Sequence, residues 1–327
     1  MRARGGRAHI TSNNSNDTAN DPGNDANSPM TAGTIAPRLA IVLLLAIAST
    51  FASNHIAARI AFEHGTSVTT AVVVRSCFTT LFVYVLLRVQ GVTIALSRTQ
   101  VVRALGIGAI LAVQSYCLYS AVASIPVALA LLAFNTFPMV LALVSWVAGG
   151  DRPSRRAMTA MPVALVGLML ALDAFGQAGG VAERWREIGA GVAWALGASF
   201  SFALVLFFSA RWLKNVDGRL RTFYTMGMAA VLVAAAGAAT GSFDWPREGA
   251  GWLGLALLTL LYGSAITTLF VVLPRIRAVN NAVVLNFEPI AALTLGWLIL
   301  GQTVAPLQIF GAFIVIGAIV YLGTAKH

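Results

Sequence analysis

Ten long apolar stretches dominate the chain from Leu39 onward, at 39–58, 67–89, 103–121, 126–148, 157–174, 188–210, 220–240, 251–273, 279–300 and 305–323. Each is close to the roughly 20 residues a helix needs to cross hydrocarbon. Barrel strands would show segments of about ten residues that alternate apolar and polar positions. The pattern therefore predicts an all-α membrane protein with ten transmembrane helices. A longer loop around Gly176–Glu187 divides the runs into two groups of five. Before Leu39 the pattern vanishes. The stretch Thr11–Thr31 is rich in Asn, Asp, Ser and Gly and has almost nothing to bury. Residues 1–37 are expected to be a disordered tail, too polar for a secretory signal. Met30 offers an alternative start.

Composition agrees with the runs. Apolar residues make up 58 % of the chain and charged residues 10 %, against roughly 25 % charged in a soluble domain. The mean hydropathy is +0.79. A net charge of +10 would suggest nucleic acid if it were clustered, but the basic residues sit in short loops between apolar runs. Such loops set membrane orientation. With both termini cytoplasmic, 17 basic residues fall on the inside and four on the outside: Arg59, Arg184, Arg186 and Arg247. The charge split supports ten spans, N-in and C-in. The resulting organisation is a cytoplasmic tail (1–37), a first five-helix unit (38–175), a periplasmic linker (176–187), a second five-helix unit (188–323) and a short cytoplasmic tail (324–327).

The two units repeat. Phe134-Asn135-Thr136-Phe137-Pro138 precedes Trp146 and Gly150-Asp151. Leu285-Asn286-Phe287-Glu288-Pro289 precedes Trp297 and Gly301-Gln302. Asn, Pro, Trp and Gly match at one constant offset of 151 residues, and with a one-residue slip Gly167 matches Gly317. Five is odd, so the halves enter the membrane from opposite sides. Inverted repeats are how secondary transporters build alternating access about a midplane site. The plainer reading is that Pro138 and Pro289 kink their helices and Trp146 and Trp297 anchor at the interface.

These motifs resemble the EamA-type branch of the drug/metabolite transporter superfamily, over residues 39–323. Glu288-Pro289, Gly296-Trp297 and Gly301 fit in the second repeat; Pro138, Ser145-Trp146 and Gly150-Asp151 fit in the first. Phe51-Ala52-Ser53-Asn54-His55 stands where the family usually has Trp-Gly-Ser-Asn-Phe, with Arg59 and Arg75 matching its basic positions. Asp151 replaces the usual Glu, and Gln302 removes the charge at the second counterpart. The resemblance implies an exporter of amino acids, related metabolites or drugs in the bacterial inner membrane. The motifs mark the fold better than the substrate.

Charge inside an apolar run singles out individual residues. A charged side chain at the bilayer centre costs about 2.5–3.5 kcal/mol on insertion scales. Glu288 lies within run nine, with Asn280, Asn281 and Asn286 nearby; Asn281, seven residues earlier, shares its face. Glu288 reads as a site for a substrate amine or a coupling proton, or else as a structural ion pair. Arg75, eight residues into run two, reads as a carboxylate-binding group through two parallel hydrogen bonds, or as a side chain snorkelling to the interface. A pair between Arg75 and Glu288 is compatible with the sequence. Asn54 and His55 could line a cavity or bridge helices, and for His55 the bridging role is the simpler reading. Gln114, Ser115, Tyr116 and Tyr119 form a polar cluster in run three. Asn135, Trp194, Ser199, Ser201 and Tyr262 are further lining candidates, each equally suited to helix–helix contact. Gly189, Gly191, Gly197, Gly237 and Gly241 permit close helix approach.

Several chemistries find no support. The chain has no G-x-x-x-x-G-K-[ST] and no H-E-x-x-H. His9, His55, His64 and His327 are too scattered for a metal cluster, and Cys77 and Cys117 sit at no ligand spacing. No nucleophile–base set recurs at fixed spacing. The expectation is no enzyme, no cofactor and no metal. The partners expected are a small-molecule substrate and the lipid bilayer, not nucleic acid, and the sequence is compatible with a homodimer.

Overall fold

The computed structural model describes residues 37–150, 152, 155–173, 181–272 and 287–323. Among them are eleven α-helices and no strand: α1 (Pro37–Glu63), α2 (Val68–Val89), α3 (Arg98–Ser124), α4 (Val127–Phe134), α5 (Phe137–Val147), α6 (Arg155–Ala171), α7 (Val181–Trp212), α8 (Gly218–Thr240), α9 (Gly249–Val272), α10 (Glu288–Leu300) and α11 (Pro306–Gly323). Seven spans are long and apolar enough to cross a membrane, with α4 and α5 together forming one of them. Three shorter apolar helices, Met158–Ala171, Glu288–Leu300 and Pro306–Tyr321, fall within the other three predicted runs. Leu81, Val85, Leu165, Val166, Leu298 and Phe313 lie exposed on the outer faces. Large apolar side chains on the outside of a helix are stable where the solvent is lipid.

The two halves pack by one mirrored rule. Taking α1, α2, α3, α5 and α6 as counterparts of α7, α8, α9, α10 and α11, the main contacts between the halves come as images of one another. α3 packs on α7 as α9 packs on α1, α3 on α8 as α9 on α2, and α5 on α7 as α10 on α1. α2–α8 and α6–α11 are their own images. The loops obey the same rule. The α1–α2 loop pairs with the α8–α9 loop through Ser67 N to Asp244 O at 3.0 Å and Arg247 N to His64 O at 3.1 Å. The α2–α3 loop meets the α7–α8 loop through Gln90 with Arg219 and through Val92, Ile94, Leu96 and Val216 around Leu87 and Leu220.

Close approach depends on small residues, as expected where lipid gives no hydrophobic drive between helices. A Cβ on Gly254 of α9 would lie 2.7 Å from Ala61 N and 2.8 Å from Ala57 O of α1. A Cβ on Gly167 of α6 would lie 2.9 Å from Gly311 O of α11. The partner of Gly167 at the crossing is therefore Gly311. A Cβ on Gly317, its match in sequence, would meet open space, because sequence offset does not fix which turn of an antiparallel partner lies opposite.

Pro138 and Pro289 act at helix starts. Each sits in the first turn of its helix, where the missing N–H needs no partner. In the first repeat this divides one span at Asn135–Thr136 into α4 and α5. Gly301 ends α10 in the left-handed region, φ +61°. In the first repeat Gly149, φ +84°, takes that conformation instead of Gly150. Trp146 and Trp297 are both well exposed, as interface anchors would be.

Asp217 caps α8, accepting from Arg219 N at 2.8 Å, and its carboxylate also pairs with the Arg219 guanidinium at 2.6 Å. Chiefly through the side-chain hydrogen bond, Arg219 holds the Asp217 carboxyl below the usual carboxylate range. A lowered folded value means that the stabilisation is complete above the unfolded Asp value of about 3.9 and fades as pH falls through the folded one. Asn caps about as well as Asp, so Asp217→Asn isolates the ion pair. Allowing for solvent screening, it is expected to cost under about 1 kcal/mol near pH 7. Melting curves at neutral pH and below about pH 4 should show that difference disappear.

Candidate functional site

Polar side chains converge where α1, α2 and α3 of the first half meet α9 and α10 of the second. Glu288 is the first residue of α10 and its carboxylate sits in the first helical turn. Exposed backbone N–H groups and the helix dipole favour an anion there. The Glu288 Oε1 lies 3.3 Å from Nε2 of His55, a buried residue of α1. The His55 ring packs edge-on to the Tyr119 ring at 5.8 Å. The Tyr119 hydroxyl donates to Asn54 Oδ1 at 3.2 Å, and Asn54 Nδ2 donates to Leu258 O of α9. One side-chain chain thus links α10, α1, α3 and α9.

Arg75 of α2 also meets Tyr119. Its guanidinium carbon is 4.9 Å from the Tyr119 ring centroid and 4.1 Å from that of Tyr262. Its Nη2 donates to Ser115 Oγ at 2.8 Å, and Ser115 in turn donates to Gln114 Oε1 at 3.3 Å. Tyr262 is held by an edge contact to Phe51 at 6.0 Å. Arg75 is 4 % exposed. Among the described residues no carboxylate lies within ion-pair range of it, so the Arg75–Glu288 pair compatible with the sequence is not formed. Three buried polar atoms of this region's helices find no partner: Arg75 Nε, His55 Nδ1 and Ser76 Oγ. Unsatisfied buried donors and acceptors are rare in folded proteins and call for a reason.

Six sequence candidates meet here: Glu288, Arg75, Asn54, Gln114, Tyr119 and Tyr262. Asn135 does not. It is buried, and its Nδ2 closes one turn back on Leu131 O at 2.8 Å. Trp194 is 40 % exposed and packs on Tyr116 at 6.1 Å, in a groove on the outer face with Val113, Leu232 and Gly237. Asn281 and Asn286 lie outside the described residues. Ser199 instead bonds Thr136 at 3.0 Å, beside an aromatic cluster of Phe134, Phe137 and Phe202. Phe137 is the repeat counterpart of Glu288, so the mirrored position carries a charge in one half and an aromatic ring in the other.

His55 bridges α1 and α10, the role the sequence reading preferred for it, and its partner there is Glu288. A signal was present. His55 is the single histidine inside the ten apolar runs, and Glu288 the single acid away from their ends.

The comparisons with known proteins agree with this architecture. The model of the EamA-like transporter family matches residues 38–172 and again residues 189–324. A solved crystal structure, 16 % identical, shares the fold: it covers 88 % of this chain and 97 % of its own, with a TM-score of 0.60. No match was found among curated proteins. With the family pattern present twice and spanning nearly all of the described helices, the chain belongs to the EamA-like transporter family, a membrane transporter of the drug/metabolite type.

Proposed function

We propose that this chain is a secondary transporter of small metabolites that works by alternating access about the cluster of His55, Glu288, Tyr119, Arg75 and Tyr262, with His55–Glu288 as its proton-coupling pair. One observation carries the reading: Arg75 of one half is buried with no carboxylate in ion-pair range among the described residues, while the partly buried Glu288 of the other half meets His55 and not Arg75. A merely structural arrangement would neutralise them. A site that must exchange ligands keeps its charges available.

The mirrored packing supplies the motion. A Cβ added to Gly108 of α3 would lie 2.8 Å from Thr225 O and 2.7 Å from Met228 Cβ on α8, whereas one added to Gly263 of α9 would come no nearer than 3.1 Å, to the Phe78 ring of α2. Contacts of the same kind are tight in one half and looser in the other. Exchanging the two packings would give a second conformation built from the same contacts, opening the cluster to the opposite side. The charged and titratable neighbours that face the His55–Glu288 pair are Tyr119 from α3, Arg75 from α2 beyond it, and Tyr262 from α9; α4, packed against α10, carries none.

The same reading includes ten spans with both termini cytoplasmic, supported by the 17-to-4 loop charge, and repeats bounded at 38–175 and 188–323. It places the chain in the bacterial inner membrane and favours export of amino acids or related metabolites, both by resemblance. The test begins with thermal-shift screening of amino acids, amines and nucleosides. Uptake of a hit is then followed in proteoliposomes with and without an imposed pH gradient. The reading expects the gradient to drive uptake. Uptake that ignores the gradient would favour a passive facilitator, and a chain that binds nothing would favour a scaffold.

A further inference from the structure

We infer that Arg75 is the recognition point for the substrate, and that the group it takes is a single carboxylate. This rests on the transport reading above and narrows it to a substrate class. Arg75 carries a full charge at 4 % exposure. A cation in that position is costly unless an anion meets it. The rings of Tyr119 and Tyr262 at 4.9 and 4.1 Å offset part of the cost through their π faces, but they supply no counter-charge.

The chain has no spare acid to offer. Of its 12 acidic residues, only Glu288 lies within an apolar run away from the ends, and Glu288 is engaged by His55 at 3.3 Å. The segment 273–286 contains no Asp or Glu. The missing anion must therefore come from outside the protein.

The donors left over define its chemistry. Nη2 is used by Ser115, and Nε is buried without a partner. A planar guanidinium with unused N–H groups matches a carboxylate. Arg75 is also the single arginine away from the ends of the apolar runs. One positive charge balances a monoanion. A phosphate monoester, close to doubly charged at neutral pH, would leave one charge over near the Glu288 carboxylate.

Acetate is the minimal probe, because it tests the carboxylate subsite without the rest of the substrate. The purified full chain is titrated with sodium acetate in exchange for sodium chloride at constant ionic strength, with ethylammonium chloride in parallel, and the thermal midpoint is read. The expected result is a saturable rise with acetate in the millimolar range, no rise with ethylammonium, and loss of the acetate response in Arg75→Gln. If Arg75→Gln does not fold, Arg75→Lys replaces it. Lysine keeps the charge but not the planar fork, and should need several-fold more acetate. A flat response in the wild type, equal responses to acetate and ethylammonium, or an unchanged acetate response in either variant would overturn the inference. A wild type that passes the gradient-driven uptake test yet ignores acetate overturns this inference alone and leaves the transport reading standing.

Discussion

Glu288→Gln is expected to reduce pH-gradient-driven uptake to the level of protein-free liposomes while leaving the fold in place. Gln has the shape of a protonated Glu and can keep a hydrogen bond to His55 Nε2, now 3.3 Å from the carboxylate. The change in stability should be near the net value of one hydrogen bond, about 1 kcal/mol, and the lost desolvation cost of a partly buried charge works against it. What Gln cannot do is release a proton. A carrier fixed in that form can still move loaded substrate back and forth, so exchange of labelled for unlabelled substrate should persist while net gradient-driven uptake stops. A structural ion pair predicts a different outcome, with stability, exchange and net uptake falling together. Unchanged gradient-driven uptake in Glu288→Gln would remove Glu288 from the coupling role.

The second large effect is expected at a residue that touches no ligand. Gly254→Val should strongly destabilise the α1–α9 contact and, with it, the cluster. A Cβ there would meet backbone atoms, Ala61 N at 2.7 Å and Ala57 O at 2.8 Å. Backbone cannot rotate aside as a flexible side chain can, so α1 must move away. Overpacking of this kind costs about 1–3 kcal/mol. One turn along α9 lies Leu258, whose carbonyl holds Asn54, and one turn further lies Tyr262 against Arg75. The variant should therefore melt earlier and lose its response to substrate. Gly106→Ala is the control, since nothing lies within 4 Å of its Cβ position. Ala is the better helix former by up to about 1 kcal/mol, so that variant should equal or exceed the wild type. A Gly254→Val chain that melts like the wild type would show that the α1–α9 approach is not as close as described.

Much of this architecture can be read from residue patterns because lipid imposes strong constraints. Run length, the loop arginines and the 151-residue offset between Pro138 and Pro289 all express the cost of putting polar groups in hydrocarbon. The same cost points to Glu288 and Arg75. What the pattern does not carry is rotation and register. A run that is apolar all round hides which face meets which neighbour, so the pairing of Gly167 with Gly311 and the choice of Gly149 over Gly150 emerge only from packing. Asn135 and Trp194 look like lining residues by type alone, yet one bonds its own turn and the other faces outward. His55 differs. Near the end of run one it reads as a bridge, and which partner it bridges to emerges only when α10 places Glu288 3.3 Å away.

Counterflow tests the central claim most directly. Proteoliposomes loaded with a high concentration of an unlabelled screening hit are diluted into a trace of the same compound, labelled. A site open to one side at a time returns loaded with label while unlabelled substrate leaves, so the label should rise above its equilibrium level and then decay. Label that only climbs to equilibrium, with no overshoot, would mean a continuous pathway and would contradict alternating access about the His55–Glu288 and Arg75 cluster.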